Sequence, residues 1–477
     1  MNLQNEQEIS NERQEEIEQA KKYLGTILHD EDKLIINMPE DTLFLPCPKV
    51  PPMLRNNERT KDYYDPKFIS FGPYHHGKDE LQATQKIKTK VMRNFILEHG
   101  KTIEDLYIKV RLLNDDTRRC YVEGSTNAYN DEAFALMMLQ DGCFILFLIE
   151  LKIFIFRNND EEMTSSNEDS VLMILNHLGV LELEYLNQDL LVLENQIPFK
   201  VLTVLMCDIY NENEGLTMIK SYLYRIHWGE FPKEDTRDED EKEPHHLLGL
   251  LKTLISKRGD HMETEPENAG LGMDVTYYLQ SFSSASDLQA KGINFKPRNS
   301  VSLLSALLKI KPKSISLQDV DFKSSFFFTG ELKLPPLFVG VHSHVYYANL
   351  IAFETYAPID CTVTSYISFM NLLIANPMDV KALRSKRIII HALNSDEEVF
   401  TMFKKITATN LMNDGTMYQG VRQKIEDHCN NKIKIWIAEM RHKYFSQPWS
   451  VISLLAAVVV IILTLLQTFY AINPRKA

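Results

Sequence analysis

The sequence predicts an α+β protein: a predominantly helical globular domain, a small strand-rich section, and one C-terminal transmembrane helix. Three observations predict it. Apolar residues recur at helical spacing over Leu81–Val110, Asp131–Phe156 and Val171–Tyr210. Phe, Val and Tyr crowd between Ile315 and Phe353 among Gly and Pro punctuation, which reads as several short strands. Finally, the 22 residues from Trp449 to Tyr470 (WSVISLLAAVVVIILTLLQTFY) carry no charge, enough to cross a ~30 Å hydrocarbon core with an aromatic at each interface.

Taken in order, residues 1–38 form a polar segment rich in Glu, Gln, Lys and Asn, with no apolar run to serve as a signal-peptide core. Pro46, Pro48, Pro51 and Pro52 mark an extended lead-in to a globular domain over 39–445. Phe134–Phe156 is long and apolar enough to rival the C-terminal span, yet it carries Gln140, Asp141, Glu150 and Lys152. Charges at mid-bilayer cost ~2.5–3.5 kcal/mol each, so this helix is expected inside a protein core. The acidic runs at 158–170 and 233–243 lack apolar anchors and read as solvated loops. After His245 a helix HLLGLLKTLI gives way to a long polar stretch ending near Ala285. Helical patterning returns by Val363, and Gly420–Phe445 repeats its apolar residues at steps of three and four, one face of a closing helix. Pro448 marks the break before the span at 449–470, and residues 471–477 are a short tail.

Composition excludes several classes. With 44% hydrophobic and 25% charged residues the chain is an ordinary globular one, and disorder is excluded for most of its length. A formal charge of -13 repels a phosphate backbone, and no dense Lys/Arg stripe stands out, so nucleic acid is not expected as a partner. Cys47, Cys120, Cys143, Cys207, Cys361 and Cys429 are scattered without a CxxC, the pattern of reduced, partly buried thiols. No Asn-x-Ser/Thr sequon is present, which leans against exposure to the secretory lumen. Lys432, Lys434, Arg441 and Lys443 precede the span, whereas only Arg475 and Lys476 follow it. The richer side, and the body with it, is expected to be cytoplasmic, with the plasma membrane a candidate location.

Seven stretches carry a resemblance. They are ISFGPYHHG (Ile69–Gly77), DGCFIL (Asp141–Leu146), DLLVLENQIPF (Asp189–Phe199), HLLGLL (His246–Leu251), ASDLQAKGINFK (Ala285–Lys296), NLIAFE (Asn349–Glu354) and YFSQPWSVISLLAA (Tyr444–Ala457). In this order they resemble the plant family called domain of unknown function 247, from about residue 39 to the end of the span. One departure is Lys200, where an apolar residue is expected after Phe199. The resemblance implies a plant protein with a C-terminal membrane segment and no established catalytic activity. Some members are implicated in self-incompatibility recognition between pollen and stigma in grasses. It therefore implies a recognition or scaffold role, with membrane lipid bound through 449–470 and an unidentified protein partner.

The residues themselves leave other chemistries to weigh. Gly72–Asp79 (GPYHHGKD) nearly spells a phosphate loop, but Pro73 lacks an N–H and Asp79 stands where a hydroxyl would hold Mg²⁺; a turn closed by Gly77 is the simpler reading. His75 and His76 are candidate acid/base residues, although adjacent histidines on an extended chain face opposite ways. If Val339–Tyr347 is a strand, His342 and His344 share a face as a metal pair, with no third ligand. Asp141 and Glu194 are the candidate carboxylates of a hydrolytic site. In the competing reading Asn195 and Gln196 hydrogen-bond a helix junction and Asp141 is satisfied locally. No GxSxG or HExxH supplies a nucleophile or a zinc site, and no cofactor is expected.

Overall fold

A computed structural model describes residues 45–157, 182–210, 213–229, 232, 243–257, 283–298, 316–324, 329–356, 360–407, 415–430 and 448–472. The chain divides into two units, Met1–Pro46 and Cys47–Ala477, and all that follows concerns the second. The polar segment 1–38, the acidic loop 158–170, nearly all of 233–243, and the closing helix beyond Asn430 lie outside the described residues.

Helix α1 (Gln82–Glu98) is followed by α2 (Ile103–Leu112), which is capped by the Thr102 hydroxyl, accepting from the Asp105 N–H. Both lie against α3 (Asp131–Arg157), the long central helix. By length and composition Asp131–Ile155 is the helix among the described residues that suffices to cross a bilayer, and it is mostly buried in the protein. Its polar residues have protein partners, as a core helix requires. Gln140 donates to the Thr89 hydroxyl, and Glu150 accepts from the Tyr210 hydroxyl at 3.2 Å.

A short α4 (Glu182–Asp189) leads through an irregular corner to α5 (Phe199–Ile209), α6 (Glu214–Trp228) and α7 (Leu247–Ser256). The helical spacing read across 171–210 is therefore broken at 190–198, where buried side chains of the corner take over the backbone bonding. Gly142 lets α3 approach α5 closely, since a Cβ there would run into Leu205 and Val201.

Beyond α8 (Ala285–Ala290) come β1 (Ile293–Pro297), β2 (Asp321–Ser324), β3 (Gly330–Leu334) and β4 (Leu337–Val339). The order β1-β3-β2 is mixed: β1 runs parallel and β2 antiparallel to β3. Then follow α9 (Ser343–Glu354), α10 (Thr362–Leu373), α11 (Pro377–Ser385), β5 (Ile389–His391), α12 (Asp396–Ile406) and α13 (Gln419–Asn430). β4 pairs in parallel with β5.

The strand-rich section is thus real but shorter than Ile315–Phe353 suggests, because Ser343–Glu354 is helix. All of α9 but His344 is buried, so it shows no polar face to betray its period, and its Val, Tyr and Phe content reads as strand. β1 and β5 lie outside the expected section, five and three residues long, too short for alternation to declare them.

The last element, α14 (Pro448–Ile472), is a 25-residue helix. Within it Ala456–Phe469 is an apolar stretch. The six cysteines are free thiols, with Cys47, Cys143 and Cys429 buried.

Candidate functional site

The sequence stretches ISFGPYHHG (Ile69–Gly77) and DLLVLENQIPF (Asp189–Phe199) meet at the irregular corner, and side chains of the second hold the backbone at the start of the first. Asp189 ends α4 with its carboxylate buried, and it accepts the N–H groups of Lys67 (2.8 Å), Phe68 (2.7 Å) and Ile69 (2.9 Å). Burial pushes its pKa up to about 6, against the pull of those three donors. Asn195 continues the strip. Its Oδ1 accepts from the Phe71 N–H at 2.7 Å, and its Nδ2 donates to the carbonyls of Ile69 and Asp189.

Asp141, on α3, takes the next amide: the Gly72 N–H donates to its Oδ2 at 2.8 Å. Its other oxygen receives Lys88 Nζ at 2.5 Å, and that ammonium also donates to the Ser70 carbonyl. Lys88 is fully buried; burial pulls its pKa down and Asp141 opposes the fall. Gly72 has a φ of +68°, and a Cβ there would lie 2.8 Å from the Gln196 carbonyl oxygen, so only glycine fits.

Gln196 ties in two further elements. Its Nε2 donates to the carbonyls of Leu190 and Val192, its Oε1 accepts the Leu248 N–H of α7, and its backbone carbonyl accepts the Tyr121 hydroxyl. Asn349 of α9 accepts the Leu193 N–H and donates to the Tyr63 carbonyl. The Tyr74 hydroxyl sits between two chain segments, donating to the Cys47 carbonyl at 2.7 Å and accepting the Val122 N–H at 3.0 Å.

Glu194 faces the other way. It accepts the Val50 N–H, and Arg55 Nη2 reaches both it (3.3 Å) and Asp65 (2.8 Å). His75 lies between the same two carboxylates, Nε2 at 3.7 Å from Glu194 and Nδ1 at 3.8 Å from Asp65. The ring is 2% exposed, and burial followed by the nearby Lys78 cation pulls its pKa down to about 4.

Of the candidate residues the structure brings His75 and Glu194 to within 3.7 Å of each other, whereas Asp141, His342 and His344 lie on other partners. Asp141 is balanced by Lys88 and Glu194 by Arg55, on partners 53 and 139 residues away in sequence rather than locally. His76 turns from His75 toward Gln85 (3.3 Å) and the Tyr129 ring. In the phosphate-loop stretch the Gly72 amide is already held by a carboxylate, and Lys78 lies 3.5 Å from Asp65. The strand premise for His342 and His344 is corrected, since His342 precedes the first turn of α9 and His344 lies within it. Their rings stack on different partners, His342 on Tyr185 and His344 on Tyr63. Among the described residues no group of three or more His, Cys, Asp or Glu side chains converges to hold a metal.

Lys88, Asp189, Arg55, Tyr74 and Asn349 were not singled out by sequence. Tyr74, Asp189 and Asn349 lie inside the stretches that carry the resemblance, and Lys88 carried a signal of its own. It follows Ile87 on the face of α1 that buries Thr84, Val91, Met92 and Phe95, where a lysine needs a partner.

Three buried histidines and the half-buried His344 make a pH prediction. His227 and His246 have pKa values pulled down by burial to about 3, and His75 and His344 to about 4. His246 shows why: its Nδ1 accepts the Gly249 N–H as the cap of α7, which a proton would abolish. Unfolded, each takes a proton near pH 6.5, so their stabilisation is complete above that pH and falls as pH drops toward 3–4. Each group contributes up to ~1.4 kcal/mol per pH unit inside its window. Asp189 (about 6) and Glu354 (about 7) have raised values and oppose the loss in part. Stability followed by denaturant titration from pH 7 to 4 is expected to fall, and His246→Asn, which caps without titrating, should flatten the slope.

A helix-dominated α+β body whose motif side chains lock its own backbone is the class of protein that fold and corner define. The chain belongs to the family described as plant protein of unknown function, domain of unknown function 247, whose profile matches residues 47–463. It is 28% identical over 444 residues to UPF0481 protein At3g47200 of Arabidopsis thaliana, covering 87% of this chain and 84% of that one. It is also 21% identical over 497 residues to Putative UPF0481 protein At3g02645 of the same plant, with coverage of 86% and 87%. No solved structure matches.

Proposed function

We propose that the protein is a membrane-tethered recognition or scaffold protein, held to a bilayer by α14 and engaging a protein partner through exposed polar loops. The observation that carries this reading is the exposure of α14. Every residue from Ala456 to Phe469 is exposed, including Val460 at 60%, Ile461 at 59% and Leu465 at 65%. Each such side chain in water forgoes ~1.5–3 kcal/mol of burial, whereas lipid removes that cost and the helix satisfies its own backbone. No residue of Pro448–Ile472 is charged. The Lys/Arg excess before the helix favours a cytoplasmic body.

The corner weighs against the hydrolase alternative. Its polar side chains serve backbone groups, and His75 at 2% exposure offers no face to a substrate. The anchor is tested by alkaline carbonate extraction. The full-length chain should stay with the membrane pellet and a chain ending at Gln447 should be released; release of both overturns the tether.

A further inference from the structure

No dense basic run appears in the sequence, yet folding gathers a basic face. Lys86, Lys90 and Arg93 fall four and three residues apart on α1, and all three are exposed. Lys101 follows just past the end of the helix, also exposed. Among the described residues none of the four forms an ion pair. Two exposed leucines border them. Leu97 (60%) lies one turn beyond Arg93, and Leu136 (41%) lies one turn before Gln140, whose amide bonds Thr89 of α1. On α1 and its flanks the acidic groups stand at the ends of the strip, Asp79 and Glu80 before it, Glu98 beside its close, Glu104 and Asp105 after it, and on α3 the exposed Glu132, one turn before Leu136, lies 3.7 Å from Arg111.

We propose that this face of α1 docks on anionic lipid headgroups of the membrane that holds α14. The proposal rests on the anchor reading. Charge argues for it. A chain of net charge -13 tethered at an anionic leaflet is repelled overall, so it turns toward the lipid whichever face is repelled least. Lys86 to Arg93 span ~10 Å of helix, and screening confines the attraction to about 8 Å from the surface, which suits a flat helix side lying on the headgroups. Leu97 and Leu136 then meet the headgroup boundary as the apolar margin of a basic strip. An acidic protein segment is the competing occupant. The tether favours lipid over it by keeping α1 at high effective concentration near the membrane.

The test reconstitutes the full-length chain in phosphatidylcholine vesicles with or without phosphatidylserine and reads lysine acetylation by mass spectrometry. Lys86, Lys90 and Lys101 should be modified more slowly in the anionic vesicles, with exposed Lys61 and Lys323, each beside a carboxylate, as internal references. Molar salt should erase the difference. Each of Lys86→Gln, Lys90→Gln and Arg93→Gln should lower the docked-to-undocked ratio about fivefold, the equivalent of ~1 kcal/mol. Equal rates in both vesicles, with the chain resistant to carbonate, overturn the docking and leave the anchor standing. A chain that carbonate strips from every vesicle overturns the anchor and the docking with it. Protection produced by an acidic polyglutamate peptide in neutral vesicles, but not by phosphatidylserine, overturns the lipid reading in favour of a protein partner.

Discussion

Asp141→Ala is expected to destabilise the body by ~3–5 kcal/mol, the cost of leaving a buried charge without its counterion. Lys88 Nζ has the Ser70 carbonyl and the Asp141 carboxylate as its partners, and both side chains are at most 1% exposed. Removing the carboxylate also orphans the Gly72 N–H. The double change Lys88→Met with Asp141→Leu should cost less than the two single changes summed, because apolar groups then fill the site and no charge is stranded. The unfolding midpoint in denaturant reads both. A single Asp141→Ala change of under ~1 kcal/mol would mean that water reaches Lys88 and that the pair is not sealed.

Asn195→Ala carries the second largest expected effect. It strips the partners from the Phe71 N–H and the Ile69 carbonyl at once and removes one of two donors from the Asp189 carbonyl. Buried groups left unpaired cost ~1–3 kcal/mol each, so a loss on the order of 3–5 kcal/mol is expected once partial relaxation is counted. The damage should be local before it is global. Hydrogen exchange of the amides from Lys67 to Gly72 should accelerate while the amides of α10 keep their protection. Uniform acceleration across both would contradict the view that this corner is a separate fastening.

Much of the architecture is legible in the residues. The charged and polar positions of Phe134–Phe156 argue for a protein interior, and there Gln140 and Asp141 meet Thr89 and Lys88 of α1 while Glu150 meets Tyr210. What composition cannot reveal is the identity of distant backbone partners. Asn195 and Gln196 announce buried amides near a proline, but an N–H or a carbonyl at Ile69 or Leu248 has no side-chain signature of its own. The error at His342 and His344 has a different cause. A helix buried on every side loses the polar stripe that distinguishes its period from that of a strand, and a short strand such as β5 never accumulates enough alternation to declare itself. The basic strip on α1, Lys86, Lys90 and Arg93, is interleaved with apolar residues in sequence and becomes a face once Ile87, Val91 and Phe95 turn inward.

The long sequence separations in the corner bear on how the chain is made. Residues 67–71 emerge from the ribosome 120 or more residues ahead of Asp189 and Asn195, and Tyr63 precedes its Asn349 partner by 286. At ~5–20 residues per second of synthesis, the first interval alone lasts about 6–25 s. Throughout it the backbone of residues 67–71 lacks the Asp189 and Asn195 side chains that it bonds in the finished body. Closure of the nascent body therefore comes late, shortly before the hydrophobic terminus leaves the exit tunnel, and slowed or truncated translation should expose an unfastened N-terminal half to proteolysis.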